Sequence, residues 1–293
     1  MGININSQCV GCLIHKHLDV ARSLDPAKAD AFTYDLLEVL KQSLDGSNSA
    51  IAATYINALY KKHFGLDGDR YVEEKKQSNA FVLERLERIT QLVEQQADPV
   101  FAALQFAILG NYLDFSALRG KVSFEALDQM LSDALNMQLD VAVYEKFCRD
   151  LEAGKKLLYI TDNAGEIGFD KVFALQLQKK YPHLQITFCV RGLPVHNDAT
   201  RQDVEFMQIP FPVVDTGNGI AGVEISLLSS QSRQAFEEAD VILAKGMGNT
   251  ESMTGCGYNV YYAFLVKCMR FADYFQKPLM TPMFVREKKE KKS

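Results

Sequence analysis

The sequence predicts an α/β fold in which a helical N-terminal part is followed by a mostly parallel sheet. As far as about residue 153, apolar residues recur at three- and four-residue spacing, the period of an amphipathic helix. Beyond residue 154, short apolar runs alternate with helical patterns, which is typical of parallel strands joined by right-handed crossovers. Apolar residues make up 47% of the 293 residues, enough to form a large core.

The first part is predicted to be helical throughout. The segment 47–65 opens with the capping residues Ser47, Asn48 and Ser49 and closes at Gly65, so it has both ends of a helix. The segment 98–115 is apolar on nearly all sides, and its helix is therefore expected to be buried. The predicted helical segments are 30–44, 47–65, 79–96, 98–115, 123–135 and 140–154.

The second part is predicted to contain short strands separated by helices. Four of its apolar runs are continuous enough for strands that are covered on both faces of a sheet, and the last run could lie in either direction. The segment 153–156, which contains a glycine and two lysines, is the predicted boundary between two domains. They are a helical domain over residues 1–153 and an α/β domain over residues 154–293. The predicted strands are 155–161, 185–190, 212–216, 239–245 and 278–285, and the predicted helices are 167–181, 199–208, 225–238 and 257–275.

Charge and cysteine content exclude several classes of protein. The net charge of −5 lacks the basic face of a nucleic-acid binder. The basic cluster at 286–293 is expected to be a solvated tail. The longest apolar runs are too short to span a membrane, and the N-terminus lacks a secretory signal, so we expect a cytoplasmic protein. Six cysteines are too few for a disulfide scaffold in a chain of this length.

Polar residues collect in the loops that follow four of the predicted strands. In an open α/β sheet, ligands bind beyond the carboxyl ends of the strands, so these loops are expected to form one site. The loops contribute Asp162, Asn163, Gly165 and Glu166, then Arg191, Asn197 and Asp198, then the glycines of 216–222, and finally Lys245, Gly246, Gly248 and Asn249.

The residue types in these loops suit a metal ion and a phosphate group. Asp162, Asn163 and Asp198 offer hard oxygen ligands for Mg²⁺ or Mn²⁺. Lys245 offers a compact positive charge for phosphoryl oxygens, and glycines such as Gly165 let backbone amides approach a ligand. Either aspartate alone could instead be a helix cap, but the combination on one sheet edge favours a functional site.

For several residues outside these loops, the sequence leaves more than one role open. Asn111 and Asp114 share one face of an apolar helix. They could join the two halves through hydrogen bonds or reach the substrate from the helical half. Cys9 and Cys12 could bind a metal, form a thiol pair or form a facultative disulfide. Further ligands for such a metal would come from His15, His17, Cys256 and Cys268. Cys148 and Cys189 are expected in the core, and His196 is placed beside the predicted site.

The motifs CVGC, GNYLD, DNAGE, RGLPVHNDAT and KGMGN occur in this order and closely resemble those of the metal-dependent damage-control phosphatase family. The CxxC resembles the prokaryotic subfamily, and the resemblance spans essentially the whole chain. It implies a helical part packed on a Rossmann-like three-layer α/β part. It also implies a divalent metal (Mn, Mg, Co or Ni) held by Asp162, Asn163 and Asp198, and a phosphate-binding Lys245. The loop 217–225 departs from the family pattern, which has an acidic residue and a proline before the glycine.

The resulting hypothesis is metal-assisted hydrolysis of small phosphometabolites such as sugar phosphates or damaged cofactor intermediates. Glu166 would orient the attacking water or act as general base, although direct attack by Asp162 or Asp198 stays open. No nucleic acid, membrane or protein partner is expected. The alternatives are an S-adenosylmethionine-dependent methyltransferase and a non-catalytic phosphometabolite-binding protein. The predicted substrate contacts are Gly165, Arg191, Asn197, Lys245, Gly246, Asn249, Asn111 and Asp114.

Overall fold

The computed structural model describes residues 2–44, 46–66, 69–113, 129, 131 and 133–287. Seven described helices precede the first strand. The predicted caps of the third helix are confirmed, since the Asn48 side chain accepts from the Ile51 N–H and Gly65 ends the helix with φ of 68°. These helices are α1 (Ser7–Leu24), α2 (Ala29–Ser43), α3 (Ser49–Phe64), α4 (Val72–Leu83), α5 (Leu86–Glu94), α6 (Pro99–Gly110) and α7 (Val141–Ala153).

The second part alternates strands and helices and confirms the α/β prediction. The described residues form a six-stranded sheet in the order β3-β2-β1-β4-β5-β6. The first five strands are parallel, and β6 is antiparallel to β5, which gives the last strand its direction. The elements are β1 (Lys156–Ile160), α8 (Glu166–Lys180), β2 (Gln185–Val190), α9 (Arg201–Phe206), β3 (Val213–Asp215), α10 (Ser230–Glu238), β4 (Val241–Lys245), α11 (Gly246–Met253), β5 (Val260–Leu265), α12 (Met269–Phe275) and β6 (Pro282–Arg286).

Two elements of the second part correct the sequence prediction. The helix predicted over 257–275 is wrong in its first half, because Val260–Leu265 forms β5, in which every residue is buried. A strand covered on both faces has no polar alternation, so its six apolar residues resembled part of a helix. In addition, the glycine-rich segment Gly246–Met253 forms helix α11 directly after β4, where a loop was expected.

Helices cover both faces of the sheet, as a three-layer arrangement requires. On one face, Tyr159 and Leu243 join a core cluster with Phe106 of α6 and Phe169 of α8, whose rings stack at 6.5 Å. On the other face, alternate strand residues such as Ile160 pack with α10 and α12. One apolar cluster therefore spans the predicted boundary at 153–154, and the division into two domains stays a prediction.

Among the helices of the described segments, none combines the length and the hydrophobicity needed to cross a bilayer.

Candidate active site

The loops that follow β1 and β2 are joined at the carboxyl edge of the sheet. Asn163 and Asp198 form an isolated antiparallel bridge. Beside it, the Ala199 N–H donates to the Asp162 carbonyl at 2.7 Å. These backbone contacts bring Asp162, Asn163 and Asp198 together from two separate loops, as the spacing of the strands predicts.

The three side chains line a cleft of about 230 Å³. Its opposite wall comes from α1 and α3, so the helical part covers the edge of the sheet. Gly248 also lines the cleft and lies against the loop after β3. The charged and polar lining residues are Lys16, His17, Ser49, Asn111, Asp162, Asn163, His196, Asn197, Asp198, Glu251 and Lys267.

Asp162 is an acid of the cleft whose pKa is strongly perturbed. Its Oδ2 accepts hydrogen bonds from Nδ2 of Asn111 at 2.9 Å and from Nδ2 of Asn163 at 2.8 Å. Burial, together with the carboxylates of Glu166 and Asp198, raises the pKa of Asp162 well above its usual range. Because desolvation and like charges both disfavour the ionised form, this carboxylate would gain from a cation placed beside it.

Asn111 brings the helical part into the site. This residue, which follows α6, is 1% exposed. Its Nδ2 donates to Asp162 Oδ2 at 2.9 Å and to Glu166 Oε2 at 3.0 Å, and its Oδ1 accepts from the Leu265 N–H at 3.4 Å. Asn111 thus joins the two parts of the chain and also lines the cleft. Its sequence neighbour Asp114 lies outside the described residues.

A buried ion network around Lys245 lies behind these amides. The Lys245 ammonium donates to Glu166 Oε1 at 2.7 Å, to Asp170 Oδ1 at 2.6 Å and to the Ala107 carbonyl at 2.8 Å. An ammonium has three hydrogens, so all are used inside the protein. Burial alone would lower the pKa of Lys245, but the two carboxylates outweigh it and raise the pKa. This corrects the prediction that Lys245 contacts phosphate, because the side chain does not reach the cleft.

Glu166 requires the same correction. It is fully buried, and its Oε2 accepts from Nδ2 of Asn111 at 3.0 Å and from Nδ2 of Asn163 at 2.8 Å. Its Oε1 is held by Lys245 at 2.7 Å. With both oxygens engaged, this carboxylate fixes the two amides that line the cleft, and the predicted role as general base does not fit its position.

Arg191 supports Asp198 from behind instead of lining the cleft. Arg191 is 2% exposed, and its Nε donates to Asp198 Oδ2 at 2.6 Å. The same guanidinium donates to the Gly222 carbonyl and to Asn249 Oδ1, both at 2.9 Å. The prediction that Arg191 and Asn249 bind phosphate is therefore corrected, because both are buried and used to hold Asp198 and the loop after β3.

Two glycines make room around the site. Gly165 has φ of 74°, and a Cβ there would lie 2.9 Å from the Ser78 Cβ. Its N–H donates to Asn79 Oδ1 at 2.7 Å, so this amide is used by α4, which corrects its prediction as a ligand contact. Gly246 has φ of 79°, and a Cβ there would overlap the carboxylate of Asp162. Only glycine lets Asp162 lie so close to the start of α11.

Five polar or charged residues of the cleft were not predicted from the sequence as members of this site. Lys16 and His17 of α1 and Lys267 after β5 line the cleft opposite the acids. The Ser49 N–H and hydroxyl donate to the two oxygens of Glu251 at 2.8 and 2.5 Å, which ties α3 to α11. Their sequence signals were weak: Ser49 was interpreted as a helix cap, and His17 only as a possible partner of Cys9.

The six cysteines lie on different elements of the fold, with Cys9 and Cys12 together on α1. In the described part of the chain, no group of three or more His, Cys, Asp or Glu side chains is placed to hold an ion. The cleft set of Asp162, Asn163 and Asp198 contains only two such residues. All six cysteines are free thiols, Cys189 is buried as predicted, and Cys148 packs against the core. The metal, thiol-pair and disulfide alternatives for the CxxC stay predictions, together with the candidate ligands Cys9, Cys12, His15, His17, Cys256 and Cys268.

His17 is expected to make the protein sensitive to acid. It is buried against Tyr60, with His17 Nδ1 and the hydroxyl 2.9 Å apart. Burial, with further contributions from nearby cations, lowers the pKa of His17 from 6.5 to about 3. Below about pH 6.5 the unfolded chain binds a proton that the folded chain does not, so stability falls as the pH falls. Between about pH 7 and about pH 5 this group should cost about 2 kcal/mol.

Urea unfolding of wild type and His17→Gln at these two pH values measures this effect. The variant should lose about 2 kcal/mol less than wild type over the same interval. The matched control is His15→Gln on the same helix, because the His15 side chain is 85% exposed. Equal acid sensitivity of wild type and His17→Gln would contradict the assignment of a neutral buried imidazole.

Comparison with known proteins assigns this chain to a family. The model of the damage-control phosphatase ARMT1-like domain matches residues 5–280. An uncharacterized protein of Methanocaldococcus jannaschii, MJ0202, is 30% identical over 283 residues, which cover 92% of this chain and 91% of the relative. A damage-control phosphatase of Archaeoglobus fulgidus is 30% identical over 246 residues, covering 79% of this chain and 84% of the relative.

Two further comparisons concern Pyrococcus horikoshii. Its damage-control phosphatase PH1575 is 28% identical over 253 residues, covering 85% of both chains. The crystal structure of a DUF89 family protein (PH1575) superposes with a TM-score of 0.83 at 24% identity, covering 97% of this chain and 99% of that chain. The superposition agrees with the α/β fold described above.

Proposed function

The chain belongs to the damage-control phosphatase ARMT1-like domain family, and from this we propose that it is a metal-dependent phosphomonoesterase acting on small phosphometabolites. Relatives named damage-control phosphatases support the phosphatase role. The observation that carries the finer proposal is the meeting of Asp162, Asn163 and Asp198 on one cleft, through the bridge between their loops. Assignment to the CxxC-bearing subfamily stays a prediction.

We propose that Asp162, Asn163 and Asp198 would hold the divalent ion. Carboxylate and amide oxygens suit Mg²⁺ and Mn²⁺, and they accept Co²⁺ or Ni²⁺ as well. Both Nδ2 hydrogens of Asn163 are used, by Asp162 and Glu166, so its amide oxygen is the atom left for a ligand. Burial and the carboxylates of Glu166 and Asp198 raise the pKa of Asp162, so a cation bound beside it would favour its ionised form. A bound ion would supply charge stabilisation for the transferring phosphoryl group.

The side chains would divide the remaining work. Lys267 lines the same cleft as Asp162 and Asp198, and its ammonium would contact the phosphoryl oxygens. We place Lys267 and Lys16 in the role that the sequence suggested for Lys245. In the hydrolysis, a water oxygen bonds to phosphorus, the ester P–O bond breaks, and the leaving oxygen takes up a proton from solvent, to which the carboxylate that receives the water's proton later releases it. Asp162 or Asp198 would receive the proton of the water.

Direct attack by one of these aspartates would instead form a phosphoaspartate. Acid quenching during turnover of a ³²P-labelled ester distinguishes the two routes. Label retained on the denatured protein would favour an aspartyl nucleophile, and its absence would favour water.

The test of the function is a screen of phosphate esters against divalent metals. Purified protein should hydrolyse p-nitrophenyl phosphate or a sugar phosphate with added Mn²⁺, Co²⁺, Ni²⁺ or Mg²⁺, and EDTA should abolish the activity because the cleft then lacks the cation that its carboxylates require. Activity that survives EDTA would contradict the metal dependence. Thermal stabilisation by phosphometabolites without turnover under any metal would favour the binding-protein alternative, and calorimetric binding of S-adenosylmethionine would favour the methyltransferase alternative.

A further inference from the structure

A second cavity, of about 350 Å³, adjoins the cleft and shares His196 as a common wall. It lies between α3, the segment 69–71 and the loop after β2. His196 has φ of 46°, a left-handed conformation that is uncommon for a residue with a side chain. The Tyr71 ring packs edge-on against the His196 ring at 6.2 Å. His196 therefore lines both cavities and forms the wall between them.

The lining of the second cavity is apolar on one side and cationic on the other. Leu193 and Pro194 provide apolar surface, while Lys61 and Arg70 provide two cations. Among the described residues of the lining, the one carboxylate is that of Asp69, which accepts from the Tyr71 N–H and lies 3.1 Å from the Lys75 ammonium. The described part of the lining therefore contains two cationic side chains, and its carboxylate is paired with a lysine outside the cavity.

Arg70 is held in place before any ligand arrives. Its guanidinium lies over the Tyr60 ring, 4.1 Å from the ring centroid, and its Nη2 donates to Asn57 Oδ1 at 3.2 Å. A guanidinium has five N–H donors, more than these contacts use. Stacking on a ring fixes the plane of the group, which then presents an edge suited to two oxygens of one anion.

The segment 69–71, which contains Arg70, is also tied to the loops of the cleft. The Lys75 ammonium, whose side chain is 5% exposed, lies 3.1 Å from Asp69 and 3.0 Å from Asp203. Asp203 caps the helix that follows the Asp198 loop, and it accepts from Asn79 Nδ2 at 2.8 Å. This buried network fixes the segment 69–71 against the turn that carries Asp198. The two cavities are therefore held in one position relative to each other.

We propose that the second cavity is the leaving-group subsite and that it selects phosphate monoesters carrying a second anionic group, a carboxylate or a phosphate, at the far end. The inference rests on the proposed function for the orientation of the substrate. The phosphoryl group would lie in the cleft among Asp162, Asp198 and Lys267. The carbon chain would pass His196 along the apolar wall, and the second anion would bind Arg70 and Lys61.

The test compares esters that differ only at the far end. The probes are sorbitol 6-phosphate, 6-phosphogluconate and sorbitol 1,6-bisphosphate, assayed with Mn²⁺. Wild type should prefer at least one of the two doubly anionic probes by on the order of tenfold in kcat/KM, mainly through KM, since a charge-assisted bidentate contact is gained in binding. Preference for the carboxylate or for the bisphosphate identifies the second anion, and either one supports the subsite.

Variants connect this preference to the cavity. Arg70→Met and Lys61→Met should each reduce the ratio of kcat/KM between the preferred doubly anionic probe and sorbitol 6-phosphate to near one. The matched control is Lys62→Met, because Lys62 is on the same helix but pairs with Asp35 at 2.7 Å, outside the cavity. Lys61 is exposed, so its variant remains informative if loss of Arg70 disturbs folding.

Two results would overturn the inference: equal kcat/KM for all three probes in wild type, or an unchanged ratio in both variants. Calorimetric binding of the same probes gives the same comparison without turnover. Absence of hydrolysis under every metal would count against the proposed function, whereas selective binding abolished by Arg70→Met would still support the subsite.

Discussion

Asp162→Asn is expected to lower kcat/KM for metal-dependent hydrolysis by on the order of a thousandfold. The substitution removes one of the two carboxylates proposed to hold the cation and keeps the shape of the side chain. An asparagine oxygen can still accept the hydrogen bonds that Asn111 and Asn163 donate to Oδ2 at 2.9 and 2.8 Å. The loss should therefore report the missing charge and not a collapsed loop.

Stability measurements separate this loss from misfolding. Because the native pKa of Asp162 is raised above its ordinary value of 3.8, the unfolded chain loses this proton first as the pH rises. The metal-free native state is then disfavoured at neutral pH, so Asp162→Asn should unfold at an equal or higher temperature without metal. Wild type should gain stability on addition of Mn²⁺, and the variant should lose most of that gain.

The matched control for this experiment is Asp215→Asn. Asp215 also stands at the carboxyl end of a strand, but it pairs with Arg201 at 2.6 Å and lies outside the cleft lining. Its activity should stay within about twofold of wild type, because only a partly exposed ion pair is lost. Wild-type activity in Asp162→Asn, or equal losses in both variants, would count against the assignment of Asp162 to the metal.

The sequence was most informative where periodicity and polarity agreed. Helix α8 was predicted over 167–181 and begins at Glu166, because an apolar strand, a polar turn and a helical pattern follow one another there. Strand β5 was missed because all six of its residues are buried, so no alternation separates it from a helix. The sequence predicted that the loops after β1 and β2 share one edge of the sheet, and the structure joins them there through a bridge between Asn163 and Asp198.

Side-chain direction was the weakest point of the site prediction, although the sequence contains a signal for it. Side chains alternate between the two faces of a strand, so Lys245 at the end of β4 shares the face of Val241 and Leu243. Both of these residues belong to the cluster that includes α6 and α8, where the Lys245 ammonium is found. Applied to Lys245, this rule would have placed it in the interior and not at the ligand.

Contacts made by distant segments had no such signal. Lys16, His17 and Lys267 reach the cleft only because α1 and the segment after β5 pack over the edge of the sheet. Lys75 likewise pairs with Asp203 across more than a hundred intervening residues. No local pattern encodes these approaches, because they depend on how the helical part packs on the sheet.

Lys245→Met is expected to reduce the free energy of unfolding by about 3–5 kcal/mol, which is the cost of removing one partner from a buried ion network. The variant would leave Glu166 and Asp170, both 0% exposed, without the ammonium now 2.7 and 2.6 Å away. The ionised form of Asp170 is already disfavoured in the native protein. Burial raises the pKa of Asp170 to about 6, and its Oδ2 has no hydrogen-bond partner among the described residues. Without Lys245 that carboxylate should take up a proton at neutral pH.

Urea unfolding with an unchanged m-value measures the loss, and two further variants determine its origin. Adding Asp170→Asn to Lys245→Met should restore part of the stability, because it removes one unpaired buried charge. The control Lys146→Met, which breaks a partly exposed pair with Asp150, should cost less than about 1 kcal/mol. A lysine that contacted phosphate from the cleft would give the opposite result: Lys245→Met would retain wild-type stability and lose activity alone. That outcome would support the phosphate-binding role that the sequence suggested for Lys245. The unfolding curve of Lys245→Met therefore distinguishes a buried structural lysine from a phosphate-binding one.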